Sequence, residues 1–169
     1  MKSCRKSKRF CEDDRMKKSG LIGRVIWYVY LVLLFVFVIV KFRGSFSELS
    51  DKIAATPFGT NYNLVPFRTI GVQIEHISQG WARNNLVANM VIFAPFGFLI
   101  SLVYPKVNSF SKAFLCGCAV VALAEIFQFY TRLGSFDVDD IILNVTGVCI
   151  GYLGMKVFVR VIPGSGVCF

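Results

Sequence analysis

The chain has 169 residues, 55% hydrophobic and 17% charged, with a net charge of +9 and a mean hydropathy of +0.60. A soluble domain of this length is closer to a quarter charged, and here the apolar residues form blocks long enough to cross a hydrocarbon layer about 30 Å thick, which excludes a soluble globular protein. The charge is not a nucleic-acid signature either, because nine of the nineteen Lys and Arg precede Trp27, where they flank an apolar block and set its topology.

Residues 1–20 read as a basic cytoplasmic tail. Leu21 to Val40 follows, with one charge, Arg24, placed where it can snorkel to the interface. About 20 residues suffice to span. With no small-residue cleavage site before Lys41, this is expected to be a retained signal anchor. From Lys41 to Asn85 the chain leaves the bilayer. Asn61-Tyr-Asn63-Leu-Val-Pro66-Phe67 reads as non-helical, with Pro66 imposing an extended or turn geometry. Ile70, Ile74, Ile77 and Trp81 then recur at helical spacing among Gln73, Glu75 and Gln79, which predicts an amphipathic helix on the outer leaflet or capping the bundle.

Three further spans are expected. Leu86 to Tyr104 carries Asn89 and Pro95-Phe96-Gly97, and the proline predicts a kink with the carbonyl of Val91 released. Ala113 to Tyr130 carries Glu125 and Gln128. Ile141 to Ile162 carries Asn144 near its start and Lys156 and Arg160 near its end, leaving 163–169 as a second tail. The expected fold is therefore all-α, an integral membrane bundle of four helices, with 41–162 as its main domain. With both termini cytoplasmic, thirteen Lys and Arg lie inside and six outside, the arrangement the positive-inside rule prefers. The six cysteines agree, since none falls in an external segment. Cys116-Gly-Cys118 reads as small apolar residues rather than a redox pair.

On this topology the polar residues inside the spans gather toward the outer leaflet. Glu125, Gln128 and Arg132 are spaced by three and four and share one helical face, as do Asp137, Asp140 and Asn144, continued by Gly147 and Gly151. Asn85 and Asn89 form a third stripe. An ionised carboxylate costs about 2.5 to 3.5 kcal/mol at the centre of a membrane helix, and less toward the interface. Glu125 therefore needs a partner, a proton or water, and a cavity open to the outside would serve all these groups. Simpler roles compete. Asp137 suits the amino-terminal cap of the last helix, Asp139 and Asp140 suit its positive dipole end, and the amides suit interhelical hydrogen bonds. Gly147 and Gly151 suit close helix packing. His76, the only histidine, has no nearby acid or cysteine, so no metal site is expected.

The ordered set Asn63-Leu-Val-Pro66-Phe67, Asn89-x-x-x-Phe93-x-Pro95-x-Gly97, Glu125-x-x-Gln128, Arg132, Asp137-x-Asp139-Asp140, Asn144 and Gly147 resembles the VanZ-like family over roughly Asn63 to Gly154. No motif position departs from the pattern. The first span and the tail are compatible with the family without being diagnostic. The resemblance implies a relation to an accessory protein of glycopeptide-resistance clusters that lowers susceptibility to teicoplanin, a lipid-bearing antibiotic acting outside the membrane. It supplies no reaction and no cofactor.

Three functions are therefore weighed. The first is a non-catalytic protein whose external polar residues (Asn63, Pro66, Phe67, Asn89, Glu125, Gln128, Arg132, Asp137, Asp139, Asp140 and Asn144) engage an amphiphile, either a lipid-linked cell-wall precursor or the glycopeptide. Membrane lipids are its other expected partner, and nucleic acid is not one. The second is an enzyme acting on a lipid head group, with Glu125 as acid or base and Mg²⁺ held by Asp137, Asp139 and Asp140. The third is a small transporter subunit with Glu125 as proton carrier. No Ser-His or Cys-His pairing, P-loop or dinucleotide turn lifts the enzyme above the binding protein.

Overall fold

The computed structural model describes residues 21–38, 57 and 59–161. Both expected tails, with Cys4, Cys11 and Cys168, lie outside the described residues, as do Ile162 and the basic residues Lys41, Arg43 and Lys52. Among the described residues four helices are long and apolar enough to cross a membrane: α1 (Leu21–Val38), α3 (Gly80–Val103), α4 (Phe110–Thr131) and α5 (Val138–Val161). A short helix, α2 (Arg68–Glu75), precedes α3. Two-residue strands, β1 (Tyr62–Asn63) and β2 (Phe136–Asp137), pair in parallel, Tyr62 opposite Phe136 and Asn63 opposite Asp137.

Each expected span is present, and α3, α4 and α5 begin earlier than their apolar blocks do. Helix α3 starts at Gly80 rather than Leu86, because backbone hydrogen bonds such as Arg83 N–H to the Gln79 carbonyl (3.3 Å) carry it through a polar first turn. Helix α4 starts after Ser109, whose hydroxyl accepts from Lys112 N–H at 3.4 Å as an amino-terminal cap. Asp137 does the same for α5, accepting from Asp139 N–H at 2.9 Å. Hydropathy reports the lipid-facing run, whereas caps set the helix end.

Helices α3 and α5 form the tightest contact, and glycine makes it possible. A Cβ on Gly147 would collide with the carbonyl oxygen of Met90, one on Gly151 with that of Ala94, and one on Gly97 with that of Val148. Backbone thus meets backbone along both helices, the close approach small residues permit in membranes, in a geometry suited to weak Cα–H···O contacts. Gly117 of α4 faces the side chain of Val148 in the same way. Helix α3 is continuous through Pro95, and α1 docks beside that point. The Tyr30 hydroxyl donates to the Ile92 carbonyl at 2.9 Å, while Trp27 is buried against Phe96 and Tyr104, with ring centroids 5.3 and 5.8 Å apart.

Gly151→Ala and Gly97→Ala are expected to lower the thermal midpoint in detergent. Overpacking costs about 1–3 kcal/mol, and a facing backbone cannot rotate aside as a side chain can. Gly154→Ala is the control, since nothing lies within 4 Å of its Cβ position. It should be neutral or stabilising by about 0.5–1 kcal/mol, from the better helix propensity of alanine.

Candidate functional site

The polar residues of the motif converge at one end of the bundle, where β1, α2 and the first turn of α5 meet. Asp139 is completely buried, and its carboxylate serves a helix other than its own. One oxygen accepts from Phe67 N–H at 2.6 Å, and the other from Thr69 N–H at 2.7 Å and Ile70 N–H at 3.1 Å. These are the leading amides of α2, which has no side-chain cap of its own. Phe67 stands at its amino terminus in the left-handed region, at φ 63°. A bulky residue there costs on the order of 1–2 kcal/mol, offset by charge-assisted hydrogen bonds and by an anion placed at a helix amino terminus. Because Asp139 also lies in the first turn of α5, one carboxylate serves two positive helix ends.

Asp137 completes the clasp. It accepts from the Thr69 hydroxyl at 2.6 Å and from Asn63 Nδ2 at 3.2 Å, besides capping α5. Asn63 also donates to the Thr69 hydroxyl oxygen at 3.1 Å, and its Oδ1 accepts from Val65 N–H at 3.2 Å. Two residues earlier, the Asn61 carbonyl accepts from Phe136 N–H at 2.9 Å, and Asn61 Nδ2 donates to the carbonyls of Gly134 (2.7 Å) and Phe129 (3.4 Å), closing the carboxyl end of α4. Asn61 and Thr69 were absent from the candidate residues. The Asn61-x-Asn63 spacing, which places both side chains on one face of a strand, was the available signal. Arg132 is the carboxyl cap of α4, half-buried and at φ 57°. Pro66 is exposed on the turn between β1 and α2.

Deeper in the bundle lies a second group. Asn89 Nδ2 donates to Asp140. Glu125, 1% exposed, accepts from Asp137 N–H at a long 3.4 Å, and Gln128 Nε2 donates to the carbonyl of Val38 on α1 at 3.3 Å. Asn144 is 4% exposed, and its Oδ1 has no hydrogen-bond partner. Asn89, Glu125, Gln128 and Asn144 line a partly enclosed cavity of about 10 Å³, together with Phe37, Val38, Ile92, Phe93 and Ala124. That is room for about one water. The carboxylates meet amides, hydroxyls and carboxamides within the chain, so bulk water is not needed to solvate them. Asp137, Asp139 and Asp140 each turn to different partners, and among the described residues no three metal-ligating side chains converge.

Asp139→Ala is expected to strand three backbone amides at about 1–3 kcal/mol each. Hydrogen exchange in detergent should accelerate at Phe67, Thr69 and Ile70 while the α3–α5 amides stay protected. Asp139→Asn keeps one acceptor oxygen and should fall between the two. Unchanged exchange at those three amides would show that α2 does not depend on this carboxylate.

The family model described as VanZ/LLP1 matches residues 27–159. It therefore includes most of α1, which the motif residues alone did not diagnose. Protein VanZ from Enterococcus faecium is 28% identical over 140 residues, covering 82% of this chain and 74% of that protein. No solved structure matches the chain significantly. With the family match extending from the first membrane helix to the last, and the motif residues gathered at one end of the bundle, the chain belongs to the VanZ/LLP1 family.

Proposed function

We propose that this chain is a membrane-embedded binding protein for an amphiphile of the outer leaflet, a lipid-linked wall precursor or a lipid-bearing glycopeptide, and that it thereby lowers susceptibility to antibiotics such as teicoplanin. Both termini are cytoplasmic in this reading, so the polar end of the bundle faces outward.

The observation that carries the proposal is the oxygen of Asn144. A buried acceptor without a donor costs about 1–3 kcal/mol, and this one sits beside Glu125 in a cavity rather than against packed carbon. A ligand hydroxyl, amine or amide would satisfy it. Next to the cavity, and sharing Phe37 and Ile92 with it, is an apolar groove of about 420 Å³ between α1 and α3, lined also by Leu33, Leu34 and Pro95. A polar pocket joined to a hydrocarbon-lined groove matches the two halves of an amphiphile. The pocket admits only about one water as it stands, so a head group enters when Phe37 and Val38 of α1 move aside.

The division of the polar residues supports the same reading. Asp137, Asp139 and Asn63 are committed to joining α2 and α5, whereas the oxygen of Asn144 has no partner in the chain and Glu125 lines the same cavity.

Asn144→Leu and Glu125→Gln test this in a glycopeptide-sensitive host. Both should reach the membrane at normal abundance and lose protection against teicoplanin. Asn144→Leu removes an oxygen that nothing in the chain uses, so a purely structural role predicts no loss of protection. Full protection by either variant, or a loss matched by lost protein, overturns the proposal. Orientation has its own check. A cysteine placed at the exposed Ser135 of an otherwise cysteine-free chain should react with a membrane-impermeant thiol reagent in intact cells, and a protected Ser135→Cys would put the polar end inside.

A further inference from the structure

Helix α2 has three faces where a water-soluble amphipathic helix has two. Thr69 and Gln73, four apart, turn toward the bundle, and Gln73 is 2% exposed. Arg68 and Glu75, seven apart, form an exposed charged stripe. Between them, Phe67 and Ile74 lie on a third stripe, 65% and 58% exposed, and Leu64 and Val65 on the preceding turn and Ile77 just past the helix are exposed as well. The polar side faces protein, and a large apolar side faces away from it. Contiguous apolar surface of this kind marks an interaction site.

The fold determines what meets that surface. Asp139, the second residue of the membrane helix α5, holds the amino end of α2 by three backbone hydrogen bonds. At the other end α2 stops at Glu75, and the membrane helix α3 begins at Gly80. With both ends tied to the ends of membrane helices, α2 has no freedom to rise into water. Trp81, exposed in the first turn of α3 with its indole N–H on Gln79, is placed as interfacial tryptophans are.

We propose that the Leu64–Phe67 turn and the Phe67/Ile74 face of α2 are inserted into the acyl region of the adjoining leaflet, with Arg68 and Glu75 at head-group level. The partner is the lipid monolayer itself. The three stripes then meet three media: protein for Thr69 and Gln73, hydrocarbon for Phe67 and Ile74, and hydrated head groups for Arg68 and Glu75. An interfacial helix gains in proportion to the apolar area it buries. Here a buried carboxylate fixes the depth, so insertion is a built-in feature of the fold and does not rest on the binding function proposed above.

The test is photocrosslinking of the full-length chain in native membranes, with p-benzoylphenylalanine introduced singly at Phe67, Ile74, Glu75 and Leu123. Leu123, exposed on α4, supplies the yield for a lipid-facing position in mid-span. Phe67 and Ile74 should give phospholipid acyl adducts in yield comparable to Leu123, with the adducts lost at Glu75. Adducts at Leu123 but not at Phe67 and Ile74 would overturn the proposal. So would crosslinks from Phe67 and Ile74 to protein, which would mean that a second copy or another part of the chain covers the face. Equal lipid yield at Glu75 and Ile74 would also sink it, because the helix would then have no distinct hydrocarbon face.

Discussion

The carboxylate of Asp139 is the constraint on which this end of the protein depends. It is fully buried, and it sits where the positive ends of α2 and α5 meet. An unpaired anion there would be costly to bury. Accepting three amide hydrogens removes that cost and at the same time gives α2 an amino-terminal cap that its own sequence lacks. The left-handed Phe67, the turn through Pro66 and the β1–β2 bridge are all held close to this one group. Asp137 acts beside it through Asn63 and Thr69, so the segment before α2 is joined to the start of α5 along its length.

The same joint makes sense of α5, which carries both a polar first turn and a glycine-lined remainder. Toward its amino end α5 is held by hydrogen bonds to α2 and α3. Further along it is held by van der Waals contact, with Gly147 and Gly151 against the α3 backbone. Membrane helices have no hydrophobic driving force toward one another, so close packing and interhelical hydrogen bonds are the available means of association. This helix uses each in a different stretch. Helix α1 is held by Trp27 and Leu34 in the core, by the Tyr30 hydroxyl on the Ile92 carbonyl, by Phe35 against Phe127 and by Gln128 on the Val38 carbonyl.

The polar motif divides by its partners. Both oxygens of Asp139 are occupied by backbone amides of α2, whereas the oxygen of Asn144 has no partner in the chain.

Much of the architecture was legible in the chain itself. Runs of about 20 apolar residues can cross a bilayer in only a few ways, since every backbone polar group must be satisfied within the segment. The four spans, a short helix after Phe67 and the small-residue face at Gly147 and Gly151 follow from composition and periodicity, which are local properties, although α2 stops at Glu75 and leaves Ile77 and Trp81 of the expected stripe outside it. The three-and-four spacings placed Glu125 with Gln128 and Asp140 with Asn144 on common faces for the same reason. Only the tertiary structure decided where those faces point. That Asp139 caps a helix some 70 positions earlier, that Asn61 closes α4, and that Asn89, Glu125, Gln128 and Asn144 line one cavity all depend on contacts between distant segments. The spacing of charges along one helix carries no information about which distant amides will come to meet them.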